Sequence, residues 1–215
     1  MVVSRRRVLQ FSIIPLLGLP SAKVFSSSSQ LPASNLILGG GQYKLKNESE
    51  NRYVFSIVDA DLRETSFIEL DFLPHGIHIN PTNKNILAVY EKKGPHACEI
   101  DLQKRRVVRY VPTDAKRLFY GHGTYSVDGS KLYSTETYQE THSGVITVRD
   151  SQSLEYLGEF PSFGSNPHEC KLIENGNVLI VTNAGGEGKF DVPCVCYIDI
   201  KSKRLLKKVA LTNSK

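Results

Sequence analysis

The stretch Gly121-His122-Gly123-Thr124-Tyr125-Ser126-Val127-Asp128-Gly129, followed by Lys131-Leu132-Tyr133-Ser134-Thr135, decides the fold, because the chain contains three versions of it. An earlier copy reads His75-Gly76-Ile77-His78-Ile79-Asn80-Pro81-Thr82-Asn83, then Ile86-Leu87-Ala88-Val89. A later one reads His168-Glu169-Cys170-Lys171-Leu172-Ile173-Glu174-Asn175-Gly176, then Val178-Leu179-Ile180-Val181. The three histidines stand 47 and 46 residues apart. Each opens a strand that runs into a turn and a second strand. Asp128-Gly129 and Asn175-Gly176 are the strongest hairpin signals, because Gly accepts the positive φ that tight turns need. A third strand, ending near an aspartate, follows over 97–101, 144–150 and 195–199, and a fourth over 106–111, 156–160 and 205–211. These segments are short, rich in β-branched and aromatic residues, and bounded by turn residues. Four strands repeating at this period mark the blade of a β-propeller. A propeller stacks equivalent positions around one axis, so a residue recurring at one blade position points to one shared place.

An incomplete copy comes first. Strands over 35–45, 53–59 and 66–72 read as the second, third and fourth of a blade whose first strand is absent. The expectation is an all-β, partial β-propeller over 36–215, with blades at roughly 36–73, 74–112, 118–162 and 167–211. Closed propellers have about 4 to 8 blades. Three and a half to four blades therefore predict a truncated ring with two open sheet edges, which invite pairing with other chains. A small propeller with irregular blades is the alternative.

Residues 1–22 read as an export signal. Arg5-Arg6-Arg7 precedes the apolar run Phe11-Ser12-Ile13-Ile14-Pro15-Leu16-Leu17-Gly18-Leu19, and small residues follow at Ser21-Ala22. Ser4-Arg5-Arg6-Arg7-Val8-Leu9-Gln10 fits the twin-arginine type, with a general secretory signal as the lesser alternative. The run is too short to span a bilayer, so membrane contact is expected only through this segment. Residues 23–35 form a polar linker. The predicted location is the periplasm. Twin-arginine export carries folded chains, which favours a protein that acquires a metal or cofactor before it leaves the cell.

The formal charge is +5, but residues 1–22 hold three arginines and no acid. The remainder carries 24 basic against 22 acidic side chains. That balance gives no electrostatic case for nucleic acid. Cys194-Val195-Cys196 places two thiols on one face of a strand. The spacing is not that of a zinc site, and the four cysteines read mainly as small buried apolar residues. A disulfide through Cys170 is the minor alternative. No Gly-Lys-Ser/Thr loop, Gly-x-Ser-x-Gly, His-Glu-x-x-His or Cys-x-x-Cys-His occurs in the sequence.

The candidate ligand-binding residues are His75, His122, His168 and Glu169. The first three open the innermost strand of a blade, at the mouth of the central channel. His78 lies three residues beyond His75. His78, His122, His168 and Glu169 form the candidate metal set, since imidazoles with one carboxylate suit iron, zinc, copper or manganese. A small anion is a second possible occupant. Glu91 and Glu136 stand in matching loops as weaker candidates, with Tyr138 and Asn183-Ala184-Gly185-Gly186 nearby. The competing account is structural. WD-type repeats also carry Gly-His before the first strand, where the histidine ties blades by hydrogen bonds, and Asp150 follows His122 by 28 residues. The chain has no tryptophan, so it is not a WD repeat in the strict sense.

Arg117-Leu118-Phe119-Tyr120-Gly121-His122-Gly123-Thr124-Tyr125-Ser126-Val127-Asp128-Gly129, with Leu132-Tyr133-Ser134-Thr135-Glu136, resembles an exported bacterial family, domain of unknown function fifteen-thirteen. Ser165-Asn166-Pro167-His168-Glu169 is similar to its Gly-Pro-His-Glu, and Val181-Thr182-Asn183-Ala184-Gly185-Gly186 to its Val-Ala-Asn-Gly-Gly. The resemblance implies a twin-arginine leader and a seven-bladed propeller of the YVTN/WD40-like, quinoprotein-like class. It also implies a neighbourhood of periplasmic iron-uptake proteins and di-haem oxidoreductases. By this likeness, His122, His168 and Glu169 are carried over as site positions. The chain departs from the family in ending where later blades begin and in a shorter segment after Gly186.

The leading functional expectation is a periplasmic binding or accessory protein linked to iron handling, with a transition metal such as iron as cofactor and periplasmic iron-uptake proteins as partners. The reading leans away from an enzyme. A metal-dependent oxidoreductase or lyase, with Glu169 as acid or base, stands second. A protein-interaction scaffold stands third.

Overall fold

The computed structural model describes residues 35–186 and 192–211. The predicted leader and most of the linker lie outside the described residues. Among the described residues, fifteen strands form four antiparallel sheets. The first has β1 (Leu36–Tyr43), β2 (Arg52–Asp59) and β3 (Glu64–Leu70). The second has β4 (Pro74–Ile79), β5 (Ile86–Glu91), β6 (Ala97–Asp101) and β7 (Arg106–Tyr110). The third has β8 (Arg117–Tyr125), β9 (Lys131–Tyr138), β10 (Ser143–Asp150) and β11 (Tyr156–Ser165). The fourth has β12 (Pro167–Ile173), β13 (Val178–Asn183), β14 (Cys194–Asp199) and β15 (Arg204–Ala210). In every sheet, neighbours in sequence are neighbours in space. That is the up-and-down blade of a propeller. The protein is an all-β propeller of about four blades, and among the described residues its first sheet has three strands, as read from the sequence.

The blades are held by the apolar layers between them. Phe55, Ile57, Ile68 and Phe72 of the first blade meet Leu87, Val89, Cys98 and Ile100 of the second. Ala88, Tyr90 and Ala97 meet Phe119, Tyr125 and Leu132 of the third. Tyr133, Ile146, Val148 and Phe160 meet Cys170, Leu179, Val181 and Cys196 of the fourth. Period-two alternation produces this layering. On β6, Cys98 and Ile100 face one neighbouring blade, and Ala97 faces the other. The middle strands therefore read as almost continuously apolar or buried, as strands covered on both faces must.

All four cysteines are buried free thiols, with Cys194 and Cys196 Sγ 3.8 Å apart. The expected same-face pair is present, and Cys170 forms no disulfide. The turn at Asp128-Gly129 has Gly129 at φ 69°. Its Asp128 carboxylate accepts from the Ser130 amide at 3.0 Å. The expected hairpin at Asn175-Gly176 is present, with Ile173 facing Val178, and its loop is a short 3-10 turn over Glu174–Gly176. There Glu174, Asn175 and Gly176 all take positive φ.

Candidate metal centre

β4, β8 and β12 are end strands of their sheets, and β8 lies against both of the others. Each is irregular where its histidine sits. On β4, Pro74 faces Glu91 and Gly76 faces Tyr90, so His75 is one extra residue. On β12, Pro167 faces Asn183 and Glu169 faces Thr182, so His168 is extra. On β8, Phe119 faces Glu136 and Gly123 faces Ser134, which leaves two surplus residues in the stretch that holds His122. A bulge re-aims side chains out of the pleat. The sequence reading placed His122 at the opening of its strand. In the structure β8 begins at Arg117, and His122 lies within the strand, inside the bulge.

The bulges bring the predicted residues together. His75 Nε2 lies 3.3 Å from His168 Nε2. The His122 ring centroid is 5.0 Å from that of His75 and 4.8 Å from that of His168. His122 Nδ1 is 3.3 Å from His78 Nε2 and 3.0 Å from Glu169 Oε2. Two donor sets result: His75, His122 and His168, and His78, His122 and Glu169. Within each set the ligand atoms lie within 4.8 Å of one another. His168, predicted beside His78 and Glu169, falls in the set with His75, and His122 is common to both sets.

Close backbone approach makes this possible. A Cβ on Gly76 would overlap the Gly121 carbonyl oxygen and come within 2.8 Å of His122 Nδ1. Only glycine lets β4 and β8 sit this near to each other.

The electrostatics favour neutral imidazoles at His75, His78 and His168. Burial lowers His78 to about 4. Burial also lowers His75, and the neighbouring His122, His168 and Lys92 add to the effect. His168 is lowered by burial, then by His122 and Lys92. Glu169 runs the other way. Burial alone would raise it, but its hydrogen bond to His122 and the nearby imidazoles hold it below the usual carboxylate range. Neutral imidazoles beside an ionised carboxylate are the protonation states that metal ligation requires.

The blade-tying role through Asp150 does not hold. Asp150 Oδ1 accepts from the Gln152 and Ser153 amides and the Ser153 hydroxyl of its own turn. At the site the blades are joined by the His75–His168, His78–His122 and His122–Glu169 contacts and by the Thr135 hydroxyl on the His168 carbonyl.

Glu91 and Glu136 lie outside both donor sets. Glu91 Oε2 takes His96 Nδ1 at 2.8 Å and the His96 amide at 3.1 Å. Glu136 and Tyr138 are in β9 and not in a loop. Glu136 is fully buried, with Oε1 2.8 Å from Arg149 Nη2 and Oε2 3.4 Å from Arg117 Nε. Thr113 donates to the same Oε2 at 2.9 Å. Tyr138 donates to Glu159 at 2.7 Å. Asn183 ends β13 and is bonded to Ser162.

Sequence reasoning missed Lys92, Lys93 and Tyr120. They line a cavity of about 410 Å³ that opens beside His168. Tyr120 stands two residues before His122, in the same bulge. An aromatic so placed in a Tyr-Gly-His-Gly run was the available signal.

A family model described as "Protein of unknown function (DUF1513)" matches residues 69–212. The chain belongs to that family. The DUF1513 match covers all three histidine-bearing blades and agrees with the resemblance drawn from their motifs. No curated protein matches the sequence. Among solved structures, hydrazine synthase of Kuenenia stuttgartiensis is similar over 75% of this chain and 46% of its own, at 16% identity and a TM-score of 0.62. Dihydro-heme d1 dehydrogenase NirN, in complex with DHE, is similar over 80% of this chain and 37% of its own, at 13% identity and a TM-score of 0.54. At such identities the likeness establishes the propeller fold. The chain spans less than half the length of either structure.

Proposed function

We propose that this DUF1513 chain is a periplasmic metal-binding accessory protein. Its metal is held around His122, by His75 and His168 on one side and by His78 and the Glu169 carboxylate on the other. The crowding at His122 Nδ1 carries the reading. A ring nitrogen bears either one proton or one lone pair. If Nδ1 donates to Glu169 at 3.0 Å, it has nothing to offer His78 Nε2 at 3.3 Å. If it accepts from His78, it meets the carboxylate lone pair to lone pair. A metal ion removes the conflict by accepting from all three. Nitrogen and oxygen ligands about 2.0–2.1 Å from a tetrahedral ion stand roughly 3.3–3.4 Å apart. The observed separations of 3.0 to 3.3 Å are close to that spacing.

Imidazole with carboxylate suits iron, zinc, copper or manganese. The family resemblance makes iron the first to test and periplasmic iron-uptake proteins the expected partners. The periplasmic location rests on the leader motif at Ser4 to Gln10.

The test is a thermal-shift titration of the protein with Fe(II), Zn(II), Cu(II) and Mn(II), with metal content measured after desalting. An ion at 100 times its Kd stabilises by about 2.7 kcal/mol, or roughly 5–10 °C for a domain of this size. The shift should vanish in His122→Ala and weaken in His168→Ala. No shift with any of the four ions, in a wild-type protein that melts cooperatively, would exclude the reading.

A further inference from the structure

The cavity beside His168 deepens the proposed metal-binding reading and rests on it. Its floor is His168, whose Nε2 is paired with His75 Nε2 at 3.3 Å. Leu73, Ala184 and the Tyr120 ring give it apolar walls. The remaining wall is charged. Lys92 and Lys93 line it, and Lys93 Nζ stands 5.6 Å over the Tyr120 ring. Glu91 is the one acid on the wall, and its Oε2 is already engaged by the His96 ring and amide.

The charge balance of the two donor sets differs. The set of His78, His122 and Glu169 includes a carboxylate; that of His75, His122 and His168 has none. A divalent ion bound by three neutral imidazoles keeps its full charge and, at the usual four ligands, one open position. Here that ion would sit beside two ammonium groups. Positive potential in a partly enclosed cleft concentrates anions. A volume of about 410 Å³ is in the range of small-molecule sites, roughly 300–1,000 Å³. We propose that the cavity between Lys92, Lys93, Tyr120 and His168 binds a small oxyanion, carboxylate or phosphate, which completes the coordination of the ion at His75, His122 and His168.

The experiment uses the full chain saturated with Zn(II) and freed of excess metal. Oxalate and inorganic phosphate are titrated by calorimetry into loaded and metal-free protein, and into the Lys92→Ala/Lys93→Ala variant. Both lysines are exposed, so the variant is expected to fold and to bind Zn(II) as the wild type does. At least one anion should bind the loaded protein more tightly than the metal-free one. The double change should weaken it about tenfold, the sum of two modest ion-pair losses. Which anion binds identifies carboxylate or phosphate as the ligand class. Zn(II) binding with no affinity for either anion overturns the proposal and leaves the metal reading standing. So does anion binding that is equal with and without metal, or unchanged in the variant. Failure to bind Zn(II) or any of the other three ions overturns both.

Discussion

Glu136→Ala tests how the third blade is held together. The carboxylate is fully buried against Arg149, itself 2% exposed, and Arg117, 6% exposed. Arg149 Nη1 also bonds Ser134 Oγ at 3.0 Å, and its Nη2 bonds the Pro112 carbonyl at 2.6 Å. Arg117 additionally pairs with Glu159. Removing Glu136 leaves Arg149 buried without an anion and reduces Arg117 to its partly exposed partner. Breaking a buried pair on one side costs about 3–5 kcal/mol, because the remaining charge stays desolvated. The Glu159 side chain is 29% exposed, and water can screen its loss, so Glu159→Ala should cost about 1 kcal/mol or less. The assay is urea unfolding followed by far-UV circular dichroism. With m near 2–3 kcal/mol/M, Glu136→Ala should lower the midpoint by roughly 1–2 M without changing m. A midpoint within 0.3 M of wild type (~0.3 M corresponds to under about 1 kcal/mol), or a larger loss from Glu159→Ala, would refute the assignment of Glu136 as a structural counter-ion.

Four further outcomes follow from the geometry. In metal-free protein, stability should fall as pH drops from about 6.5 to about 4, since His78 is held neutral with its value near 4 in the fold. The unfolded chain binds that proton first, and the displacement corresponds to roughly 3 kcal/mol, readable as a falling urea midpoint; a flat profile there would count against His78 burial. Gly76→Ala should destabilise by about 1–3 kcal/mol and weaken the metal-induced thermal shift together, because the added methyl overlaps the Gly121 carbonyl and crowds His122. Wild-type melting and metal response would argue against the tight β4–β8 approach. None of the four thiols should react with Ellman's reagent in the native protein, and all should react on unfolding, as each cysteine is buried and burial pushes Cys98 up to about 12. Glu169→Gln should weaken metal binding less than His122→Ala, because His122 serves both donor sets and Glu169 only one; equal losses by metal titration would show a single set.

The blades and their order were legible because the repeat is written in residue types. β-branched runs at period two, with turn residues between them, suffice to place the strands, including the three of the opening sheet. The convergence of His75, His122 and His168 was legible for the same reason. Equivalent blade positions share an axis whatever the side chain. The geometry inside the site was not legible. Nothing in Gly-His-Gly announces that Phe119 and Gly123 pair with residues only two apart on β9. A bulge is a mismatch between two strands, and one strand's sequence does not contain it. Glu136 was misplaced for a related reason. As a lone acid after Thr135 it looked like a solvated loop residue, and its two arginine partners lie 13 and 19 residues away in sequence. Lys92 and Lys93 carried no pattern at all, and matter only through the cavity that their loop borders.

The donors at His75 and His168 are each set by one surplus residue, and His122 by two. An imidazole in register would alternate with its neighbours and could be pointed elsewhere only by changing the strand's face. Here strand length does the aiming. A one-residue deletion beside any of the three would leave the sheet pairing intact while turning that ring away from the others. Propellers carrying the same blades with or without such a centre could thus differ by the number of residues between two conserved pairings, with the apolar layers unaltered.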